Sequence, residues 1–130
     1  MGSQVKLTDA EKTRRLAEGC MGWKYSRADK HHHAAWKTVD GGYLRYDVWQ
    51  PLHNEAHAAE VRERMRELGW WCQMRTPFLA SENCNRAGFC QQGVTGFNGR
   101  MDFRAKHELM PTAICHAALL AIGLAKEEEL

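Results

Sequence analysis

Two histidines four residues apart are the first candidates for chemistry in this chain. His53 and His57 fall within the stretch WQPLHNEAHAAEV, where a helix is expected to begin. Residues at i and i+4 share a helix face with Cβ atoms about 5–6 Å apart, so two imidazoles there could share a zinc ion. The zincin motif, however, has a glutamate directly after its first histidine, and here Asn54 takes that place while Glu55 follows. The shift turns the carboxylate by about 100° around the helix, so the sequence favours capping and packing over a metal site.

The other histidines and the cysteines also lack a metal-binding spacing. His31, His32 and His33 are consecutive, and three neighbouring loop residues cannot all face one ion. Cys84 and Cys90 are separated by more residues than a zinc knuckle allows, although the pair could form a loop disulfide if oxidised. We therefore interpret the histidine run as a surface patch and predict no metal site.

The motifs that identify common enzymes are missing from the sequence. It has no nucleophile elbow, Walker loop or dinucleotide fingerprint, and no motif supplies a base, a nucleophile and an orienting partner. The five cysteines are an odd number with no secretory signal before them, which indicates reduced thiols. The sequence therefore predicts a non-enzymatic cytoplasmic protein without a cofactor.

The charge pattern favours small anions over long polyanions. The chain of 130 residues has a formal net charge of only +2, and its acids are scattered among its bases, which argues against nucleic acid as a partner. Arginine accounts for 11 of the 18 basic residues. Its planar fork suits bidentate contacts to phosphate, although codon bias in a GC-rich genome would give the same enrichment. The longest apolar run, residues 117–124, is too short to cross a bilayer.

Capping residues, turns and periodicity predict the elements that must position these side chains. Thr8 and Glu11 form a capping box, Asp40 and Gly41 a hairpin turn, and Asn54 a helix cap. The predicted elements are a helix over 9–20, a loop over 23–33, strands over 35–39 and 43–48, a helix over 55–68, a strand over 70–76, a loop over 77–99 with a short strand near 89–90, a strand over 100–105 and a helix over 112–125.

The last helix is apolar nearly all round, so it is expected to be the most buried element. Within it His116 is interpreted as a core or groove histidine, and His107 as part of the helix cap. The element order predicts an α+β fold in which an antiparallel or mixed sheet of about four strands is layered with three helices. Residues 1–130 form one domain, with residues 1–6 disordered or left from an expression vector.

Arginines and tryptophans supply the candidate binding groups. Several arginines lie on strand faces opposite the apolar rows or at strand ends, and Trp23, Trp36 and Trp71 do not fall on apolar rows. The predicted ligand-binding residues are Arg45, Arg75, Arg100, Arg104, Trp23 and Trp71.

Four short motifs together resemble the phage ABA-sandwich domain. They are Cys20-Met21-Gly22-Trp23 after the first helix, the Asp40-Gly41 turn, Trp49-Gln50-Pro51 followed by Ala56-His57-Ala58, and the run AICHAALL at 113–120. The resemblance implies a phage or prophage origin, action in the host cytoplasm and layered helices and sheet. It implies no particular reaction.

Two functions remain open at this point. By analogy with other small phage proteins, the chain is predicted to sequester a nucleotide-derived immune signal of the cyclic dinucleotide or ADP-ribose type. Two charged hydrogen bonds and two stacked bases give a gross gain of about 5–12 kcal/mol, and nanomolar binding needs about 12 kcal/mol net. Most of the candidate groups must therefore converge, or a homo-oligomer must double them. The alternative is a protein–protein adaptor, whose signature would be an exposed aromatic patch.

Overall fold

The computed structural model describes residues 6–31, 33–76, 84–91 and 103–130. Within these residues the fold is α+β, as predicted, with two three-stranded antiparallel sheets and three α-helices. The elements are α1 (Asp9–Arg15, continued by a π-helical turn, Leu16–Cys20), β1 (Lys24–Ser26), β2 (Ala35–Lys37), β3 (Tyr43–Arg45), α2 (Glu55–Glu67), β4 (Trp70–Arg75), β5 (Asn85–Gln91), β6 (Phe103–His107), α3 (Met110–Ala121) and a final 3-10 turn (Glu127–Glu129).

The first helix begins and ends where its capping signals predict. The Thr8 hydroxyl accepts the Glu11 N–H at 3.2 Å, and the Glu11 carboxylate accepts the Thr8 N–H at 3.3 Å, which completes the capping box. The π-helical turn buries Leu16, Ala17 and Cys20. Gly22 then adopts a φ of +74°, which only glycine reaches without strain, and turns the chain toward β1.

The first sheet has the order β1-β2-β3 and contains the predicted hairpin. Gly41 has a φ of +90°, as the tight turn requires, and the Asp40 carboxylate accepts the Gly42 N–H at 3.2 Å. The prediction of a loop over 23–33 is wrong at its start, because β1 pairs with β2. A three-residue polar strand carries too little alternation to be recognised. The predicted second strand over 43–48 stops early, at Arg45.

The second helix follows its predicted boundaries. The Asn54 side chain accepts the His57 N–H at 3.1 Å, and Gly69 follows the helix with a φ of +97°. Ala58, Val61 and Met65 are buried on one stripe. Leu68 is exposed, because it is the C-cap residue at which the helix ends.

The second sheet has the order β4-β5-β6, and its central strand was not predicted at full length. The interpretation of residues 77–99 as a loop is wrong for β5, which pairs with β4 along six positions and with β6 along five. The strand predicted over 100–105 is observed as β6, Phe103–His107, and residues 100–102 lie outside the described residues.

The core lies between α3, α2 and the second sheet. As predicted, α3 is the most buried helix, and it packs against β5, β6 and α2. Trp36 and Trp49 are fully buried, and Trp23 packs on Trp49 with ring centroids 4.7 Å apart. The expectation that Trp23 and Trp36 lie outside the core is therefore wrong.

Candidate ligand-binding face

The register of the second sheet brings basic side chains into rows. Arg75 pairs with Arg86, and Arg86 pairs with Lys106, so three cations cross the three strands in one row. In the next row Gln73 pairs with Gly88, and Gly88 pairs with Arg104. Alternate residues of a strand point to the same face. We call these six residues, Gln73, Arg75, Arg86, Gly88, Arg104 and Lys106, the basic face.

The opposite side of the same strands is the apolar face. Trp70, Ala87 and Phe89 are buried there, on the side where α3 packs. By contrast, the side chains of Gln73 and of the four cations on the basic face are exposed. The sheet therefore supports the core with one face and presents charge with the other.

The row of three cations is unfavourable for stability by itself. Residues directly opposite in an antiparallel pair have Cβ atoms about 4.5–5.5 Å apart, and like charges in such positions destabilise the pair. Within the described parts of the chain, no Asp or Glu oxygen lies within 4.0 Å of a charged nitrogen of Arg75, Arg86, Arg104 or Lys106. The concentrated positive charge can instead attract an anion.

A cleft of about 630 Å³ has lining residues on both sides of the sheet, and all six residues of the basic face contribute to it. Its lining also includes residues from the α3 side and the C-terminal turn, namely His107, His116, Leu120, Glu127 and Leu130. Strand alternation places His107 on the face opposite Lys106. The cleft therefore has a cationic part on the basic face and a second part, on the α3 side, with imidazoles, apolar side chains and the Glu127 carboxylate.

Trp71 lies at one end of the basic face, outside the lining of the cleft. It precedes Gln73 by two residues on β4, so it points to the same face about 7 Å further along the strand. Its side chain is 60% exposed. An exposed indole beside a group of cations can stack a nucleobase.

His116 in the cleft is held as a neutral acceptor. The Lys12 Nζ lies 3.0 Å from His116 Nε2, and both residues are buried. Burial lowers the pKa of His116 to about 4, with further lowering by Lys12 and His107. Burial also lowers the pKa of Lys12. The Lys12 amine therefore donates to a neutral imidazole, which confirms the interpretation of His116 as a satisfied core or groove histidine.

His107 lies next to this pair and contacts the backbone just before the last helix. Its ring centroid is 5.9 Å from that of His116, and its Nδ1 accepts the Leu109 N–H at 3.0 Å. Leu109 is the N-cap residue of α3. His107 thus contacts the N-cap residue itself, and among the described residues no side chain caps the first N–H groups of α3, so the prediction that His107 helps to cap this helix is wrong.

The lowered pKa of His116 predicts a loss of stability in mild acid. Because the folded-state pKa lies below the usual 6.5, the unfolded chain takes up this proton first as the pH falls. The contribution of His116 is complete above about pH 6.5 and is lost toward pH 4, by an amount on the order of 2–3 kcal/mol. Urea unfolding between pH 7.5 and 4.5 measures it.

His116→Gln is the matched control for that measurement. Glutamine keeps an acceptor for Lys12 but does not titrate. The decrease in unfolding free energy from pH 7.5 to 4.5 should be smaller in this variant than in the wild type. Equal decreases in the two proteins would contradict the assignment.

The structure brings three of the six predicted binding residues to one face. Arg75 and Arg104 belong to the basic face, and Trp71 lies at its end. Arg45 is on β3 of the other sheet, where its guanidinium donates to both Asp47 oxygens at 3.1 Å. Trp23 is in the core, and Arg100 lies outside the described residues.

Sequence reasoning missed Gln73, Arg86 and Lys106. Arg86 was missed because β5 was interpreted as loop. A signal was present in NRAGFCQ, where Ala87 and Phe89 alternate with Arg86 and Gly88. Lys106 was missed because the predicted strand ended one residue before it.

His53, which precedes the second helix, and His57, in its first turn, do not converge on a common point. His53 Nε2 lies 2.8 Å from an Asp9 carboxylate oxygen at the start of α1. His57 Nδ1 accepts the Gln50 N–H at 3.0 Å. These contacts agree with capping and packing.

The other candidates for metal or disulfide chemistry gain no support. Among the described residues, no group of three His, Cys, Asp or Glu side chains is placed to hold a metal ion. His31 donates its backbone N–H to Asp29 at 2.8 Å, and His32 lies outside the described residues. Strand β5 separates Cys84 from Cys90 by about 20 Å, which is too far for a disulfide between them.

Comparison with known proteins agrees with this fold. The model of the phage ABA sandwich domain family matches residues 14–119, which is most of the chain. This chain belongs to the phage ABA sandwich domain family. The fold of this phage ABA sandwich protein is similar to the 2.0 Å crystal structure of a phage protein from Bacillus cereus ATCC 14579, with a TM-score of 0.63, 12% identity and 98% coverage of both chains.

Two further findings bear on this phage ABA sandwich protein. No curated protein matches the chain. In the described ranges, no helix has the length and apolar character needed to cross a membrane.

Proposed function

We propose that this phage ABA sandwich protein binds a small, nucleotide-derived anion on the basic face and holds it without changing it. In this role it would act as a sponge for a nucleotide signal of bacterial immunity. The row of Arg75, Arg86 and Lys106 carries the proposal, because its three like charges cost stability and have no acidic partner within the described residues. A bound phosphate would offset that repulsion.

The cations of the basic face and the Trp71 indole set the range of affinity that a bound nucleotide can reach. Charged hydrogen bonds from three cations contribute about 1.5–3 kcal/mol each, and one stacked base adds about 1–3 kcal/mol. The gross gain of roughly 5–12 kcal/mol covers the 8 kcal/mol that micromolar binding needs, while nanomolar binding needs about 12 kcal/mol. Tight sequestration by one face would therefore use nearly all of these groups, or a second copy of the chain.

The two histidines that line the cleft lie on the α3 side of the sheet, opposite the basic face. His116 Nε2 accepts from Lys12, and His107 Nδ1 accepts from the Leu109 N–H. Each imidazole thus commits its acceptor nitrogen to the protein, and neither offers a general base to a ligand. Neither imidazole is therefore placed to act as a base on a ligand bound to the basic face.

Thermal unfolding in the presence of nucleotides tests the proposal. A panel of nucleoside phosphates, cyclic dinucleotides and ADP-ribose is compared with the unphosphorylated nucleosides. A ligand present at about a hundred times its Kd stabilises by roughly 2.7 kcal/mol, which raises Tm by about 10 °C in a domain of this size. We expect such a shift with phosphorylated members only, and a smaller shift at high salt, because exposed charges are screened.

The same experiment covers the adaptor alternative. The absence of a shift with every phosphorylated compound would overturn the proposal, and a host protein that co-purifies with the chain would then favour an adaptor. If a ligand binds, mass spectrometry after incubation should recover it intact. Recovery of a cleaved ligand would contradict the non-enzymatic role.

A further inference from the structure

We infer that the ligand is linear and carries two adjacent phosphates, with its base on Trp71 and its diphosphate over Arg75, Arg86 and Lys106. This inference rests on the proposed function and concerns the same face. It distinguishes a nucleoside diphosphate derivative from a cyclic dinucleotide. Charge and aromatic surface are distributed unequally along the strands of this face.

The cations are concentrated at one end of the face. Arg75, Arg86 and Lys106 occupy one register row on three neighbouring strands about 4.8 Å apart. A diphosphate presents at least four non-bridging oxygens and at least two negative charges at one place, which suits two guanidinium forks and an ammonium. A cyclic dinucleotide has single phosphates on opposite sides of its ring and would need two separate groups of cations.

The indole lies at the other end of the face. Trp71 and Arg75 are four residues apart on β4, or about 13 Å along the strand. This separation suits an extended nucleoside diphosphate with its base at one end. A cyclic dinucleotide has two bases, whereas among the described residues of this face one exposed aromatic side chain is present.

The row between the two ends suits a sugar. Gly88 stands at its centre and is itself buried, so the groups that can reach a ligand in this row come from its neighbours on β4 and β6. Gln73 and Arg104 flank it with exposed polar side chains that can bind sugar hydroxyls. Along the strands the face therefore presents first the Trp71 indole, then the row of Gln73, Gly88 and Arg104, and then the row of three cations. This is the order of base, ribose and diphosphate in a linear nucleotide.

Isothermal titration calorimetry of the full chain with five defined probes tests this arrangement of base, ribose and diphosphate by comparing their Kd values. The probes are ADP, AMP, ADP-ribose, inorganic pyrophosphate and cyclic di-AMP. We expect ADP and ADP-ribose to bind at least about tenfold more tightly than AMP and cyclic di-AMP, because the second adjacent phosphate adds a charged hydrogen bond.

Two exposed-residue variants locate the ends of the ligand. Trp71→Ala should weaken the binding of ADP about tenfold and leave the binding of pyrophosphate unchanged, since only the nucleotide has a base. Arg86→Ala should weaken both probes. Thermal unfolding confirms that each variant is folded.

The outcomes separate this inference from the proposed function. The linear diphosphate is overturned if cyclic di-AMP binds more tightly than ADP, if AMP binds as tightly as ADP, or if Trp71→Ala weakens the binding of pyrophosphate. Each of these results would leave anion binding on the basic face standing. If none of the five probes binds the wild-type chain, the proposed function fails with it.

Discussion

Arg86→Ala should raise the Kd for a phosphorylated nucleotide by about 10- to 100-fold, because a charged hydrogen bond contributes about 1.5–3 kcal/mol. Arg86 is the central cation of its row, with Arg75 on one side and Lys106 on the other. The same change should leave the free protein equally stable or stabilise it by up to about 1 kcal/mol, since it removes two like-charge pairs. Titration calorimetry and urea unfolding measure the two effects.

Arg45→Ala is the matched control for this variant. Arg45 is also an exposed strand arginine, but it lies on the other sheet and pairs with Asp47. Its removal should leave Kd within about twofold, because an exposed ion pair is worth only about 0–1 kcal/mol and is remote from the basic face. Equal losses of affinity in both variants would mean that the basic face is not the binding site.

Phe89→Ala should lower the free energy of unfolding by about 3–5 kcal/mol, the usual cost of truncating a buried phenylalanine. Phe89 is fully buried on β5, where it pairs with Cys72 on one neighbouring strand and with Phe103 on the other. A cavity there would disturb the packing of α3 against the sheet. If the unfolding free energy falls with urea concentration at the same slope in both proteins, urea unfolding gives the difference in their stability directly.

Trp71→Ala on the other face of the same sheet is the comparison. The Trp71 side chain is exposed, so its removal should cost less than about 1 kcal/mol of stability. The difference between the two losses of stability tests whether β5 is the central strand of a sheet that is buried on one face only. A small effect of Phe89→Ala would show that this strand is not part of the core.

The helices could be predicted from the sequence because their signals are local. Thr8 and Glu11 lie within one turn and complete their own capping box. Asn54 and Gly69 mark the two ends of α2 in the same way. Each signal depends on backbone groups a few residues away, so no tertiary information is needed.

The basic face could be predicted only in part, because strand register is not local. Arg75 and Arg104 were recognised on their own strands. Their convergence depends on β5, which lies between the two and supplies Arg86 and Gly88. A glycine and a charged residue within a seven-residue strand weaken the β signal, so the strand was interpreted as loop and its arginine was not considered.

The burial of two tryptophans also could not be predicted from the sequence. Trp23 and Trp36 lie in segments without an apolar pattern, yet both are buried. Trp23 packs on Trp49, which is 26 residues further along the chain, and Trp36 packs on Tyr46 beyond its hairpin partner strand. Burial of single aromatic residues is decided by such tertiary contacts, which periodicity does not reveal.

The most direct test is mass spectrometry of small molecules released from the denatured protein after co-expression with an active bacterial immune signalling system. We predict that wild-type protein releases an intact nucleotide-derived anion in near-stoichiometric amount. The double variant Arg86→Ala/Arg104→Ala, folded to the same extent, should release little of it. A wild-type protein that carries no such anion, or a double variant that carries as much as the wild type, would contradict the account.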